Sequence, residues 1–339
     1  MGAELMMLAR VALAFFSIGR DVEGAESLAR LMEVGHAMAV ETGLANGTAQ
    51  ASVWQPVMAL SGLGGGAPPA VDALGALALP VIAPEGRGGV QARVRAARDH
   101  ANAVRDLLPT DLWESLNEIH LEIADWSEER LDQAGVYAFC RSVRRAANLV
   151  HGVADQMMCH DEGWQFLRLG RSLERAAGQT RLLDATVRAG LAARSATGPE
   201  AEVRALRALL SSAGAYYDFM RKVSVSIEPD AVAHYLVMEA RSPRSIRCAL
   251  NEVHDSLAAL AAAGAIPAGS AALGAARAAC GDLDAAGDVA ADARLRALLE
   301  TVLARCDGIG AAIDTDCFAR SPDGLRGALH AQAEHQTQN

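Results

Sequence analysis

The chain has 339 residues, 31 Lys and Arg against 41 Asp and Glu, and a formal net charge of −10. It is 51% apolar but only 4% aromatic, and 71 residues are Ala. That apolar share excludes wholesale disorder. The Ala content, with few β-branched and aromatic side chains, excludes a sheet-rich fold. The acidic balance excludes a nucleic-acid partner, which needs a basic surface.

Lys222 is the only lysine, so almost every cation is Arg. GC-rich codon usage yields Ala, Gly and Arg together, while Arg also recognises carboxylate and phosphate bidentately. Composition alone favours the codon explanation. Cys140, Cys159, Cys248, Cys280, Cys306 and Cys317 form no CxxC and no close pair. That excludes a zinc motif and a disulfide framework, and it fits a reducing cytoplasm. The apolar run Val11–Ile18 is preceded by Glu4 and lacks a small-residue cleavage site before Arg20, unlike a signal peptide. No apolar run reaches the ~20 residues that span a bilayer. The expectation is a cytoplasmic protein with no membrane partner.

Periodicity and breakers predict helices along the chain. The first covers Met6–Glu41 and ends at Gly43, Asn46 and Gly47. Loops follow at 61–69 and 84–89, with a short helix expected over Ala70–Leu79. A helix over Val90–Leu108 stops at Pro109, and Thr110 is expected to cap the next, which carries Trp113, Leu116, Ile119 and Ile123 on one face. After a polar loop near Trp126–Asp132, long helices are expected over Val136–Cys159 and Gly163–Ala189. Beyond a linker at 190–199, helices are expected near 200–220, 230–240, 243–263 and onward to Phe318. Asp161 and Ser245 read as helix starts. The organisation expected is one domain over 1–320, with 321–339 as a flexible tail.

The sequence repeats itself. Residues 15–34, FFSIGRDVEGAESLARLMEV, align with 166–185, FLRLGRSLERAAGQTRLLDA, at an offset of 151. Seven positions are identical, among them Gly19/Gly170, Arg20/Arg171, Glu23/Glu174 and Arg30/Arg181. Residues 95–108 align with 244–257 at an offset of 149, matching Arg95/Arg244, Arg98/Arg247, Asn102/Asn251 and Asp106/Asp255. The reading is an all-α multi-helix bundle with an internal pseudo-duplication of two polar-striped helices, over about 8–125 and 159–263.

Residues three, four and seven apart share a helix face. Gly19, Glu23, Glu26 and Arg30 therefore form one stripe, repeated by Gly170, Glu174 and Arg181. Arg95, Asn102 and Asp106 form another, with Arg98 beside it; Arg244, Asn251 and Asp255 repeat it, with Arg247 beside them. Facing stripes pair either as buried ions that fix helix register or as a polar cavity for an amino-acid-like ligand or phosphate.

At these residues the chain resembles the alpha-E domain family of bacterial proteins. The segments that carry the resemblance are MLAR (7–10), IGRDVEGAESLARLMEV (18–34), ARDHANAVRD (97–106), LWESLN (112–117), DEGWQFLRLGRSLERA (161–176) and SPRSIRCAL (242–250). The resemblance implies an all-helical fold with recurring Glu and Arg. It also implies company: an ATP-grasp ligase and a transglutaminase-like protein encoded nearby, and a setting in small-peptide or amide metabolism. Two departures stand out. Glu23 is followed by Gly24 where the family pattern has Glu-Arg, and the acidic-Arg pair before Pro-Arg-Ser is here Glu239-Ala240. If these arginines bind a ligand, the Asp161–Arg181 copy, which keeps Glu174-Arg175, is therefore the expected site.

Other chemistries lack their motifs. A di-iron bundle needs two Glu-x-x-His motifs, and Glu33-Val-Gly-His36 has no second. The remaining histidines share no metal-ligand spacing. There is no Gly-x-Ser-x-Gly, P-loop or dinucleotide fingerprint, so no metal and no cofactor is expected. The candidate ligand-binding residues are Glu23, Arg30, Arg95, Arg98, Asn102, Asp161, Glu162, Arg171, Glu174, Arg175, Arg181, Arg244 and Arg247. Three roles remain open: an accessory or substrate-binding protein for a small peptide or amino-acid-like ligand, an enzyme using a carboxylate with Arg stabilisers, or a non-catalytic scaffold.

Overall fold

Ala and Leu at helical spacing produce helices wherever Pro, Gly and polar clusters do not interrupt. A computed structural model describes residues 2–41, 88–127, 131, 133–193, 199–223, 226–290 and 293–318. Among them are α1 (Gly2–Glu41), α2 (Val90–Ala103), α3 (Thr110–Ala124), α4 (Gln133–Met157), α5 (Glu162–Ala193) and α6 (Pro199–Ala213). They continue with α7 (Tyr216–Lys222), α8 (Pro229–Met238), α9 (Ile246–Ala262), α10 (Ala271–Ala286) and α11 (Ala293–Ile313). No strand occurs among the described residues, and the fold is all-α. No described helix is long and apolar enough to cross a membrane. The short helix expected at 70–79, the loop at 61–69, most of that at 84–89 and the tail at 321–339 lie outside the described residues.

Three expected boundaries shift for local reasons. The helix from Val90 ends at Ala103; Val104 leaves the helical region, and a single 3₁₀ turn spans Arg105–Leu107. Leu108 is extended, as a residue before proline prefers. Thr110 does not cap α3: Pro109 occupies the cap position and Thr110 is already helical. The helix expected over 200–220 is two helices, because Gly214 adopts φ 75°, a left-handed conformation that glycine reaches without strain. By contrast, Asp161 caps α5, its Oδ1 accepting from Gly163 N at 2.9 Å and Trp164 N at 3.3 Å. Ser245 caps α9, accepting from Cys248 N at 3.1 Å.

The packing forms two closed circuits. α1 packs on α2, α2 on α3, α3 on α4, and α4 returns to α1. α5 packs on α9, α9 on α10, α10 on α11, and α11 returns to α5. α1 and α5 then pack against each other and join the two circuits, with α6 touching both. The apolar residues of the two circuits merge into one core.

Two glycines permit that central crossing. A Cβ on Gly19 would lie 2.0 Å from the Leu167 carbonyl oxygen, and one on Gly170 would lie 2.0 Å from the Phe16 carbonyl oxygen. The contacts are reciprocal: Gly19 and Gly170, like Phe16 and Leu167, are 151 residues apart. Glycine costs about 1 kcal/mol in a helix interior, and here it lets two backbones touch.

Candidate functional site

Two carboxylate centres flank this crossing. Glu23, on α1, is fully buried. Arg175 of α5 grips it with two bonds, Nε to Oε1 at 2.9 Å and Nη2 to Oε2 at 2.6 Å. Arg244, just before α9, donates to the same Oε1 at 3.2 Å and to both oxygens of buried Glu26 at 3.0 and 3.3 Å. Arg30 also pairs with Glu26. One guanidinium thus sits between two carboxylates a turn apart and offsets their repulsion. Burial pushes the Glu23 carboxyl up, but Arg175, His151 and Arg244 together hold it well below the ordinary carboxylate range. Glu26 is lowered in the same way, Arg244 and Arg30 outweighing burial and the Glu23 charge.

Glu174, on α5, forms the second centre and is also buried. Arg93 of α2 lies 3.1 Å from its Oε1. Arg20 of α1 donates Nε and Nη2 to its Oε2, both at 3.4 Å. Burial again raises the carboxyl, and Arg93, Arg20 and Arg181 outweigh it. Arg93 reaches Glu174 over Gly24, where a Cβ would lie 2.0 Å from the Arg93 Nη1. The guanidinium occupies the space that an arginine side chain at position 24 would need.

His151, on α4, lies 3.6 Å from Glu23 Oε2, and neither ring nitrogen has a hydrogen-bond partner among the described residues. Burial lowers its pKa; Glu23 opposes that, and Arg171 and Arg175 reinforce it.

The candidates from sequence divide accordingly. Glu23, Arg30, Arg175 and Arg244 meet at the first centre, and Glu174 anchors the second. Arg181 acts on Glu174 through charge and lies 3.9 Å from exposed Asp307. Arg171 holds Asp155 at 3.3 and 3.5 Å. Arg247 turns away to Asp284 at 2.5 Å. Asp161 and Glu162 stand at the start of α5, Asp161 as its cap. Arg95 and Asn102 face solvent, and Arg98 pairs with Asp99 at 3.3 Å. These three do not oppose the buried carboxylates. Arg93 does, because it lies two residues from Arg95 and so projects from another side of α2. Extending the 151-residue offset of the first repeat would have paired Arg93 with Arg244. The expected Glu26 stripe joined the centre, and Arg20 was already matched with Arg171 by the repeat, while Asp155 and His151 carried no pairwise signal in sequence.

Cavities of about 410 Å³ beside Leu121–Trp126 and about 290 Å³ between Val223 and Ala231–Ala240 include no residue of either centre. At both centres the carboxylates are met by arginines. Among the described residues, no three His, Cys, Asp or Glu gather as a metal site would require.

Residues 7–318 match the Alpha-E family, described as a predicted alpha-helical domain with a conserved ER motif. The chain belongs to the Alpha-E family. Among the described residues its one Glu-Arg dipeptide is Glu174-Arg175. In this Alpha-E chain the two side chains work in opposite directions: Glu174 receives Arg20 and Arg93, while Arg175 grips Glu23. Neighbours on a helix diverge by about 100°, so one dipeptide ties α5 both to α1 and to α2. Uncharacterized proteins of Mycobacterium tuberculosis and Mycobacterium bovis are 26% identical over 180 residues, which is 52% of this chain and 20% of theirs. The matched segment thus spans about a fifth of these curated relatives. No solved structure matches.

Proposed function

We propose that this chain is a non-catalytic accessory module of an ATP-grasp-dependent system that forms or modifies amide bonds. The observation that carries the non-catalytic half is the state of the buried carboxylates. Glu23, Glu26 and Glu174 are each paired with arginines and held below the ordinary carboxylate range. A general base works best with a pKa near the operating pH, and these groups are driven the other way. The ligase partner and the transglutaminase-like neighbour come from the family resemblance.

The test is reconstitution with an ATP-grasp ligase of the kind the family resemblance implies. ADP release by the ligase should rise when this chain is added, and the chain alone should turn over neither ATP nor an amide. Turnover by the chain alone sinks the non-catalytic reading. An unchanged ligase rate sinks the accessory one. Glu174→Gln separates lock from ligand site: a lock loses melting temperature and output together, a ligand site loses output alone.

One spot favours a second reading, capture of an amino-acid-like ligand. Among the described residues, the carboxylate of Asp155, 43% exposed, is held by Arg171 and by the Trp164 Nε1 at 3.3 Å, one turn from the His151 ring. A ligand carboxylate fits the same donors. Titration of glutamate into the protein and its Arg171→Gln variant decides it: no heat from either ends this reading.

A further inference from the structure

The arginine stripe that does not join the carboxylate centres has a setting of its own. Arg95 and Arg105 are exposed on α2 and the turn after it, and the Arg98 side chain is 35% exposed between them. Trp113, at the start of α3, is half-buried against the core and carries two guanidinium groups, Arg98 at 5.8 Å and Arg105 at 5.0 Å from the ring centroid. Such stacking holds long side chains in place at modest cost. The Nε of Arg98 is buried without a partner among the described residues. Among the described residues, the carboxylate paired with these three cations is Asp99. His120, facing them from α3, has its pKa lowered by burial and by Arg98 and Arg95, against Asp99. Arg98 and Arg105 are thus preset on one aromatic ring with Arg95 nearby, in a stretch that also exposes Asp106, Asp111 and Glu114.

We infer that the outer face of α2 with the start of α3 docks a carboxylate-rich segment of a partner protein. Charge complementarity selects an anion, and guanidinium forks match carboxylates bidentately. The lengths of the relatives select a protein: the segment matched by this chain is 20% of them, so in those proteins such a domain has polypeptide neighbours. The cations follow the exposed side of α2 and its turn across about three helical turns, which suits an extended segment. The inference does not depend on the partner being a ligase.

A fluorescein-labelled oligoglutamate peptide, followed by anisotropy, tests it. The full chain should bind the peptide with an affinity that falls as salt rises. Arg95→Gln with Arg98→Gln and Arg105→Gln should weaken binding about tenfold or more. Arg204→Gln with Arg207→Gln and Arg221→Gln, an equal charge change on exposed arginines elsewhere, should leave it unchanged. Should the first triple lose its fold, Arg95→Gln with Arg105→Gln keeps Arg98 on Trp113 and reads the same effect. Equal loss in the control triple, absence of binding, or displacement by inorganic tripolyphosphate more readily than by unlabelled oligoglutamate each overturns the proposal.

Discussion

The Glu23 and Glu174 centres solve one electrostatic problem with different parts. Each is a buried carboxylate on a central helix, and the two lie 151 residues apart. Glu23 is gripped at 2.6 and 2.9 Å by Arg175, from the helix it crosses. Glu174 has no counterpart of that arginine, because Gly24 stands there; it relies on Arg93 at 3.1 Å and Arg20 at 3.4 Å. The Arg20 side chain is 49% exposed, against 9% for Arg175. A missing side chain on one helix was replaced by a longer reach from another, at the expense of tightness. The sequence favours the Asp161–Arg181 copy as the ligand site. Its Glu-Arg pair is intact, yet the Arg serves Glu23 while the Glu depends on α1 and α2.

Breaking the tighter centre should cost most. Arg175→Met should destabilise by about 3–5 kcal/mol in urea unfolding, because it strands Glu23 in the core. A loss under 1 kcal/mol would mean that Arg244 and His151 suffice. Between the centres, Gly170→Ala should cost about 3 kcal/mol, since the added methyl meets the Phe16 backbone and not a movable side chain. Gly24→Ala should be milder, as it displaces only the end of Arg93.

At the looser centre, Arg93→Ala should cost about 2 kcal/mol by leaving Glu174 underpaired. Combining it with Gly24→Arg should recover part of that loss, because it restores a cation in the space Arg93 vacates. No recovery would show that position 24 cannot substitute for α2.

Protons distinguish the centres as well. The folded His151 pKa is depressed below its ordinary 6.5, so the unfolded chain takes up a proton first as pH falls. Stability should therefore be greatest above pH 6.5 and decline below it, with His120 contributing in the same direction. A second decline should begin below 4.5, where unfolded carboxyls protonate and folded Glu23, Glu26 and Glu174 resist. His151→Gln should flatten part of the first decline in thermal melts and spare the second. The smallest effect is expected of Arg20→Ala, under about 1 kcal/mol, because its half-exposed guanidinium is screened by water.

The sequence determined the helical class, the two starts at Asp161 and Ser245, and the matched positions of Glu23 and Glu174. Local physics suffices for these: propensity, period and capping act within a few residues. It also marked Gly19 and Gly170 as paired positions. Only the tertiary structure decided which arginine meets which carboxylate. Arg93 and Arg95 sit two residues apart and are chemically identical, yet α2 packs so that one faces Glu174 and the other faces water. The rotation of a helix about its axis is set by everything packed around it, and no stripe within that helix contains it. For the same reason tertiary packing closed the carboxylates onto arginines and placed the arginine stripe of α2 on the surface.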